Sequence, residues 1–144
     1  MGSIALMVTL LDTHVLVWLM EGNERLGQKS REMIRIATQT DSLYVSAITP
    51  WEVAMLVSKG RLSFSLEIGK WLGMALAMPG IRMTPLSVEI SIASTQLPCE
   101  FHSDPADRII VATARHIGAT LVTEDKLILT YSKANHLKTH RAGV

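Results

Sequence analysis

Five short apolar runs punctuate this chain: MVTLL (7–11), SLYVSA (42–47), IRMTPL (81–86), ATLVTED (119–125) and LKTHRA (137–142), the last the weakest. Each has the length of a strand, and between them lie longer stretches whose apolar residues recur with helical spacing. Two strands joined by a helix-length connection cannot form a tight hairpin; they are read as parallel neighbours with the helix crossing over one face. The pattern therefore predicts an α/β chain with a mostly parallel central sheet and helices on both faces.

The intervening segments carry helix punctuation. THVLVWLMEG (13–22) follows the first run directly, and ERLGQKSREMIRIATQT (24–40) puts Leu26, Met33, Ile34 and Ala37 on one face. TPWEVAMLVSKG (49–60) reads as a helix with Thr49 as N-cap, Pro50 at its first position and Gly60 as its stop. SLEIGKWLGMALAMPG (65–80), SVEISIASTQLP (87–98) with Ser87 as cap, DPADRIIVATARHIG (104–118) closed by Gly118, and KLILTYS (126–132) complete the set.

Composition narrows the class. At 144 residues the size prior favours one domain spanning 1–144, with enough chain to bury a core. The chain is 48% hydrophobic and 19% charged, as an ordinary globular chain is. A net charge of +1 neither requires nor forbids a nucleic-acid partner. Cys99 alone rules out an internal disulfide framework and a cysteine-based zinc cluster, and fits a reducing cytoplasm. The run IALMVTLL is well short of the roughly 20 residues of a membrane span, and no basic segment precedes it as in a secretory leader. Met7 is an alternative start, which would make residues 1–6 an extension.

In a parallel sheet, ligands bind outside the carboxyl ends of the strands. Asp12 and Asp125 fall at two such ends; Glu52, Asp104 and Asp107 fall in first turns of helices. Each has an ordinary explanation. Asp12 and Asp104 fit helix caps, Glu52 and Asp107 favour a helix N-terminus, and Asp125 suits a turn. Collected along one edge, however, these carboxylates would repel one another and raise each other's pKa unless cations neutralised them. An all-oxygen set suits a hard ion such as Mg²⁺ or Mn²⁺ better than Zn²⁺. Carboxylates holding such ions act chiefly on phosphates, through an activated water. Thr123, two residues before Asp125, is either a β-branched strand residue or a hydroxyl that positions a carboxylate.

The segments LLDTHVLVW, SAITPWEVAMLVSKGRL, HSDPADRIIVATA and TLVTEDKLI, in that order, resemble the PIN-domain nucleases, and most closely the VapC-type toxins of prokaryotic toxin–antitoxin pairs. The resemblance covers about residues 7–131. It implies a three-layer α/β/α sandwich with Asp12, Glu52, Asp107 and Asp125 as the metal-holding catalytic quartet. Asp104 is an additional acid of the Asp-Pro-x-Asp-Arg pattern, a supplementary ligand or a helix start. Glu124 departs from the family's usual basic or neutral residue before the last aspartate. The implied activity is a Mg²⁺/Mn²⁺-dependent endoribonuclease that arrests growth, leaving a 5′-phosphate and a 3′-hydroxyl. The implied partners are an RNA substrate, an antitoxin whose C-terminal segment covers the site, and a second copy of the chain. A non-toxic PIN nuclease acting in RNA processing or on DNA is the alternative.

Around this quartet, Arg108 either forms a salt bridge or reaches a phosphate, and His14 either packs, is solvated or touches substrate. His102 reads as structural or as a proton shuttle, which would make cleavage metal-independent. Trp51 is expected in the core, with base stacking as the other option. Lys126, Lys133, Lys138 and Arg141 follow Asp125 with no further acid. Like Lys59 and Arg61, they are either a solvated face or a track for an RNA backbone.

Overall fold

Leu10, Leu11, Leu43, Val45, Leu121 and Val122 have no solvent exposure. Consecutive residues of a strand point to opposite faces, so both faces of the central strands are covered. The computed structural model describes residues 7–144; the possible extension, 1–6, lies outside the described residues. The elements run β1 (Thr9–Leu11), α1 (Thr13–Glu21), α2 (Gln28–Gln39), β2 (Leu43–Ser46), α3 (Thr49–Ser58), α4 (Ile68–Leu76), β3 (Ile81–Thr84), α5 (Val88–Thr95), α6 (Pro105–Ile117), β4 (Thr120–Thr123), α7 (Lys126–Ser132) and β5 (Lys138–Arg141). All five expected strands form, and the sheet they make is parallel throughout, in the order β3-β2-β1-β4-β5.

On one face Leu10 and Leu121 pack with Ile90, Ile110, Val111 and Ile128 of α5, α6 and α7. On the other, Leu11, Leu43, Val45 and Val122 meet Val15, Leu16 and Ile34 of α1 and α2. A third cluster, Val17, Val53, Trp71 and Ala75, ties α3 and α4 to α1. Each fully buried Leu or Ile contributes about 1.5–3 kcal/mol, so the two main clusters dominate the stabilisation.

Several helix starts differ from the sequence expectation, each for a local reason. The helix expected from Glu24 begins at Gln28 because the C-terminal residues occupy its entry. Gly27 N–H donates to the Ala142 carbonyl, and a Cβ on Gly27 would lie 2.3 Å from the Val144 carbonyl carbon. α4 begins at Ile68 because the Glu67 carboxylate accepts from Gly69 and Lys70 N–H. Thr49 does not cap α3; it is that helix's first residue, Ile48 precedes it without a side-chain cap, and its hydroxyl faces Thr13. Trp51 does not pack in the core: it is 58% exposed.

The order 3-2-1-4-5 matters for function. The chain steps outward on one side from β1, then returns to β1's other side for β4. Connections leaving β1 and β4 therefore diverge at their carboxyl ends and open a crevice there. Asp12 follows β1 immediately, and Thr123 ends β4.

Candidate metal centre

Asp12 is 6% exposed and is fixed at both oxygens: Oδ1 accepts from Thr13 N–H at 2.8 Å, and Oδ2 accepts from the Thr123 hydroxyl at 2.7 Å. The Thr123 Oγ1 in turn accepts from Asp125 N–H at 3.0 Å, so one hydroxyl links the acids that end two adjacent strands. Glu52 comes from the first turn of α3, and its Oε1 accepts from the Thr13 hydroxyl at 2.5 Å. Thr13 also lies 3.2 Å from the Thr49 hydroxyl.

Asp104 and Asp125 also cap helices. Asp104 caps α6 through Oδ1, accepting from Asp107 N–H at 2.9 Å. Asp125 caps α7 through its own Oδ1, accepting from Leu127 and Ile128 N–H. Each cap commits one carboxylate oxygen to the backbone and leaves the other for a different partner.

Asp107 feels every other acid of the set. Burial, and then the neighbouring Asp12, Asp104, Asp125 and Glu52, push its carboxyl up to about 8. Burial likewise raises Asp12, opposed by its bonds from Thr123 and Thr13, with His14 nearby also opposing. Glu52 is raised by burial, opposed by Thr13, and pushed further by Asp12 and Asp104. All three shifts disfavour the ionised form, first through burial and then through the neighbouring carboxylates.

Donor chemistry and spacing both fit divalent cations. One ligand atom from each of Glu52, Asp104 and Asp107 lies within 4.8 Å of the others, and so does one from each of His102, Asp107 and Asp125. Asp107 belongs to both groups. Asp12 belongs to neither group; it joins Asp125 through Thr123 and Glu52 through Thr13, and Asp104 stands beside them.

The flanking residues divide differently. His14 is exposed and close enough to act on Asp12 and Glu52. Lys126 is exposed at the start of α7. Arg108 is held inward: its guanidinium donates to the carbonyls of Ser94, Phe101 and His102 at 2.8, 3.0 and 3.2 Å. Neither a salt bridge nor a free phosphate-binding group describes it. The Glu124 carboxylate turns to the C-terminal residues, accepting from Arg141 Nε at 2.9 Å and Gly143 N–H at 2.7 Å. Lys138 begins β5 in register with Thr120, at the sheet edge opposite the acids.

Sequence reasoning missed Thr13. The available signal was its place directly after Asp12, where a buried hydroxyl on the first helical turn can reach a neighbouring helix. It also undervalued His102, whose Nε2 lies 3.0 Å from Asp107 Oδ2.

The family model for the PIN domain matches residues 9–133. The chain is 32% identical over 122 residues to Ribonuclease VapC22 of Mycobacterium tuberculosis, covering 85% of this chain and 90% of that protein. Among solved structures, VapBC2 from Rickettsia felis bound to a DNA fragment from its promoter superposes with a TM-score of 0.69 at 17% identity, covering 93% of this chain and 98% of that one. DNA-bound VapBC from Salmonella typhimurium gives 0.65 at 16% identity, covering 94% and 98%. These structural likenesses establish the fold.

Proposed function

This chain belongs to the PIN domain family, and from that membership and the site we propose that it is a VapC-type toxin: a Mg²⁺- or Mn²⁺-dependent endoribonuclease silenced by a cognate antitoxin. The observation carrying this reading is the convergence of Asp12, Glu52, Asp107 and Asp125, from four separate segments, on the crevice between β1 and β4, with Asp107 raised to about 8.

Asp12, Glu52, Asp107 and Asp125 would hold the cations, with Asp104 supplementing them. Bound there, a divalent ion supplies Lewis-acid activation of water and neutralises charge at the scissile phosphate. The protein contributes position. Thr123 holds Asp12 and the Asp125 backbone, and Thr13 holds Glu52, so the ligand oxygens are arranged before an ion arrives. The exposed His14 and Lys126 flank the acids and can meet RNA phosphates, while the exposed face of Trp51, next to Glu52, can stack on a base. Glu52, Asp107 and Asp125 are half-buried and Asp104 is exposed, so a polymer can reach them from solvent.

A single nuclease domain over 1–144, cytoplasmic action and a homodimer complete the proposal. Supporting the last, the β3–α5 segment exposes Met83, Leu86, Val88 and Ile92. Among the described residues, no helix is long and apolar enough to cross a membrane.

The test is cleavage of RNA by purified protein. Expected are EDTA-sensitive cutting restored by Mg²⁺ or Mn²⁺, 5′-phosphate ends, and a loss of roughly a hundredfold or more in Asp12→Asn. Growth arrest on expression should be relieved by the adjacent antitoxin gene. Cleavage that persists in EDTA and leaves 2′,3′-cyclic ends would refute the mechanism; efficient cutting without growth arrest would refute the toxin role alone.

A further inference from the structure

The loop entering α6 is unusually well secured for a connecting segment. Arg108 reaches back from the helix to bind the carbonyls of Phe101 and His102, and its third bond, to Ser94, anchors the loop to α5. Phe101 packs edge-on against the His102 ring, at a centroid distance of 4.4 Å, and rests on Tyr131 at 4.9 Å. The Tyr131 hydroxyl is itself tied to the Pro98 carbonyl at 2.6 Å. The imidazole is therefore held in place from its backbone and from one side.

The ring is aimed at the acids. Its Nε2 lies 3.0 Å from Asp107 Oδ2, is sealed from solvent, and is turned so that no aligned hydrogen bond forms. Asp125 offers an oxygen within the same 4.8 Å group. A nitrogen facing two carboxylates, paired with Asp107 but without an aligned hydrogen bond, is suited to an ion between the three.

Resting on the metal-nuclease reading above, we infer that His102 is a cation ligand, and that with Asp107 and Asp125 it forms a mixed nitrogen–oxygen position selecting Mn²⁺ over Mg²⁺. Glu52, Asp104 and Asp107 form an all-oxygen position beside it. Mg²⁺ strongly prefers oxygen and gives up its waters reluctantly, whereas a transition ion accepts imidazole readily. One neutral nitrogen among the ligands thus separates two ions that an all-carboxylate set would treat similarly. Arg108 serves this position indirectly, by fixing the loop that carries the ring.

The experiment measures binding, not cleavage. Full-length protein is titrated with Mn²⁺ and followed by electron paramagnetic resonance, and pulsed measurement detects ¹⁴N coupled to the bound ion. Wild type is expected to show imidazole coupling, retained in His14→Gln and absent from His102→Gln. His102→Gln should bind Mn²⁺ about tenfold more weakly, with Mg²⁺ affinity, read by competition, changed less than twofold. Mn²⁺ bound without nitrogen coupling in wild type overturns the role of His102 and leaves the metal-nuclease reading standing. Coupling lost in His14→Gln also overturns the assignment. No Mn²⁺ binding by wild type overturns the underlying reading itself. The wild-type spectrum decides the matter even if the His102 variant folds poorly.

Discussion

Replacing Asp107 by Asn is expected to stabilise the metal-free protein at pH 8 while destroying its capacity to bind metal. A carboxyl raised from 3.8 to about 8 keeps a proton that the unfolded chain has already released. Between those values the native state binds more protons than the unfolded state, so stability falls as pH rises. At about 1.4 kcal/mol per pH unit, the interval sets a ceiling near 6 kcal/mol. Asp107 retains 16% side-chain exposure, and water there screens the interaction; about 2 kcal/mol is a realistic expectation. Asparagine resembles the protonated acid and removes the penalty. Urea unfolding in EDTA should therefore show wild type less stable at pH 8 than at pH 5, and Asp107→Asn more stable than wild type at pH 8, with the difference shrinking as pH falls and vanishing only below about pH 4, where the unfolded carboxyl is protonated too. Saturating Mn²⁺ should reverse the order, since an ion at a hundredfold over its Kd adds about 2.7 kcal/mol to wild type alone. If Asp107→Asn is instead the less stable protein at pH 8 without metal, Asp107 is a structural partner of His102 and the reasoning fails.

Thr123→Val should cut metal affinity or cleavage by 10- to 100-fold, roughly the effect of losing a ligand-orienting partner, and cost about 1–2 kcal/mol because Asp12 loses its bond; isothermal titration and urea unfolding read the two effects separately. Asp104→Asn retains a capping oxygen and should change stability by less than about 0.5 kcal/mol, whereas Asp104→Ala should cost about 1 kcal/mol. If the two variants unfold alike, the cap is not what holds α6. Arg108→Lys cannot serve three carbonyls with a planar fork and should lose about 1–3 kcal/mol, measured as a lowered urea midpoint; an unchanged midpoint would remove Arg108 from its anchoring role.

Much of this molecule was legible locally. The strands were visible as short apolar runs because helices cover both faces of the sheet and bury successive strand residues alike, and the caps at Ser87, Asp104 and Gly118 were visible because capping involves neighbours only a few positions away. The acids stood out at strand ends and helix starts, and the resemblance to the PIN-domain nucleases singled out four of them. Trp51 was misjudged because a tryptophan's size argues for burial, while its place on α3 puts it on the outer face. Arg108 was misjudged because three backbone carbonyls from a loop and a separate helix carry no residue signature.

By itself, then, the sequence determined a parallel α/β chain and its helix boundaries to within a few residues, since both depend on short-range periodicity and capping. Only the tertiary structure decided that the sheet order reverses at β1, which sets Asp12 beside Thr123 and Asp125 although 111 residues separate Asp12 from its hydroxyl partner. It likewise decided that Thr13 holds Glu52 across 39 residues, and that His102 turns toward Asp107. Those arrangements follow from how buried faces pack against one another, a property of the whole core that no short window of residues contains.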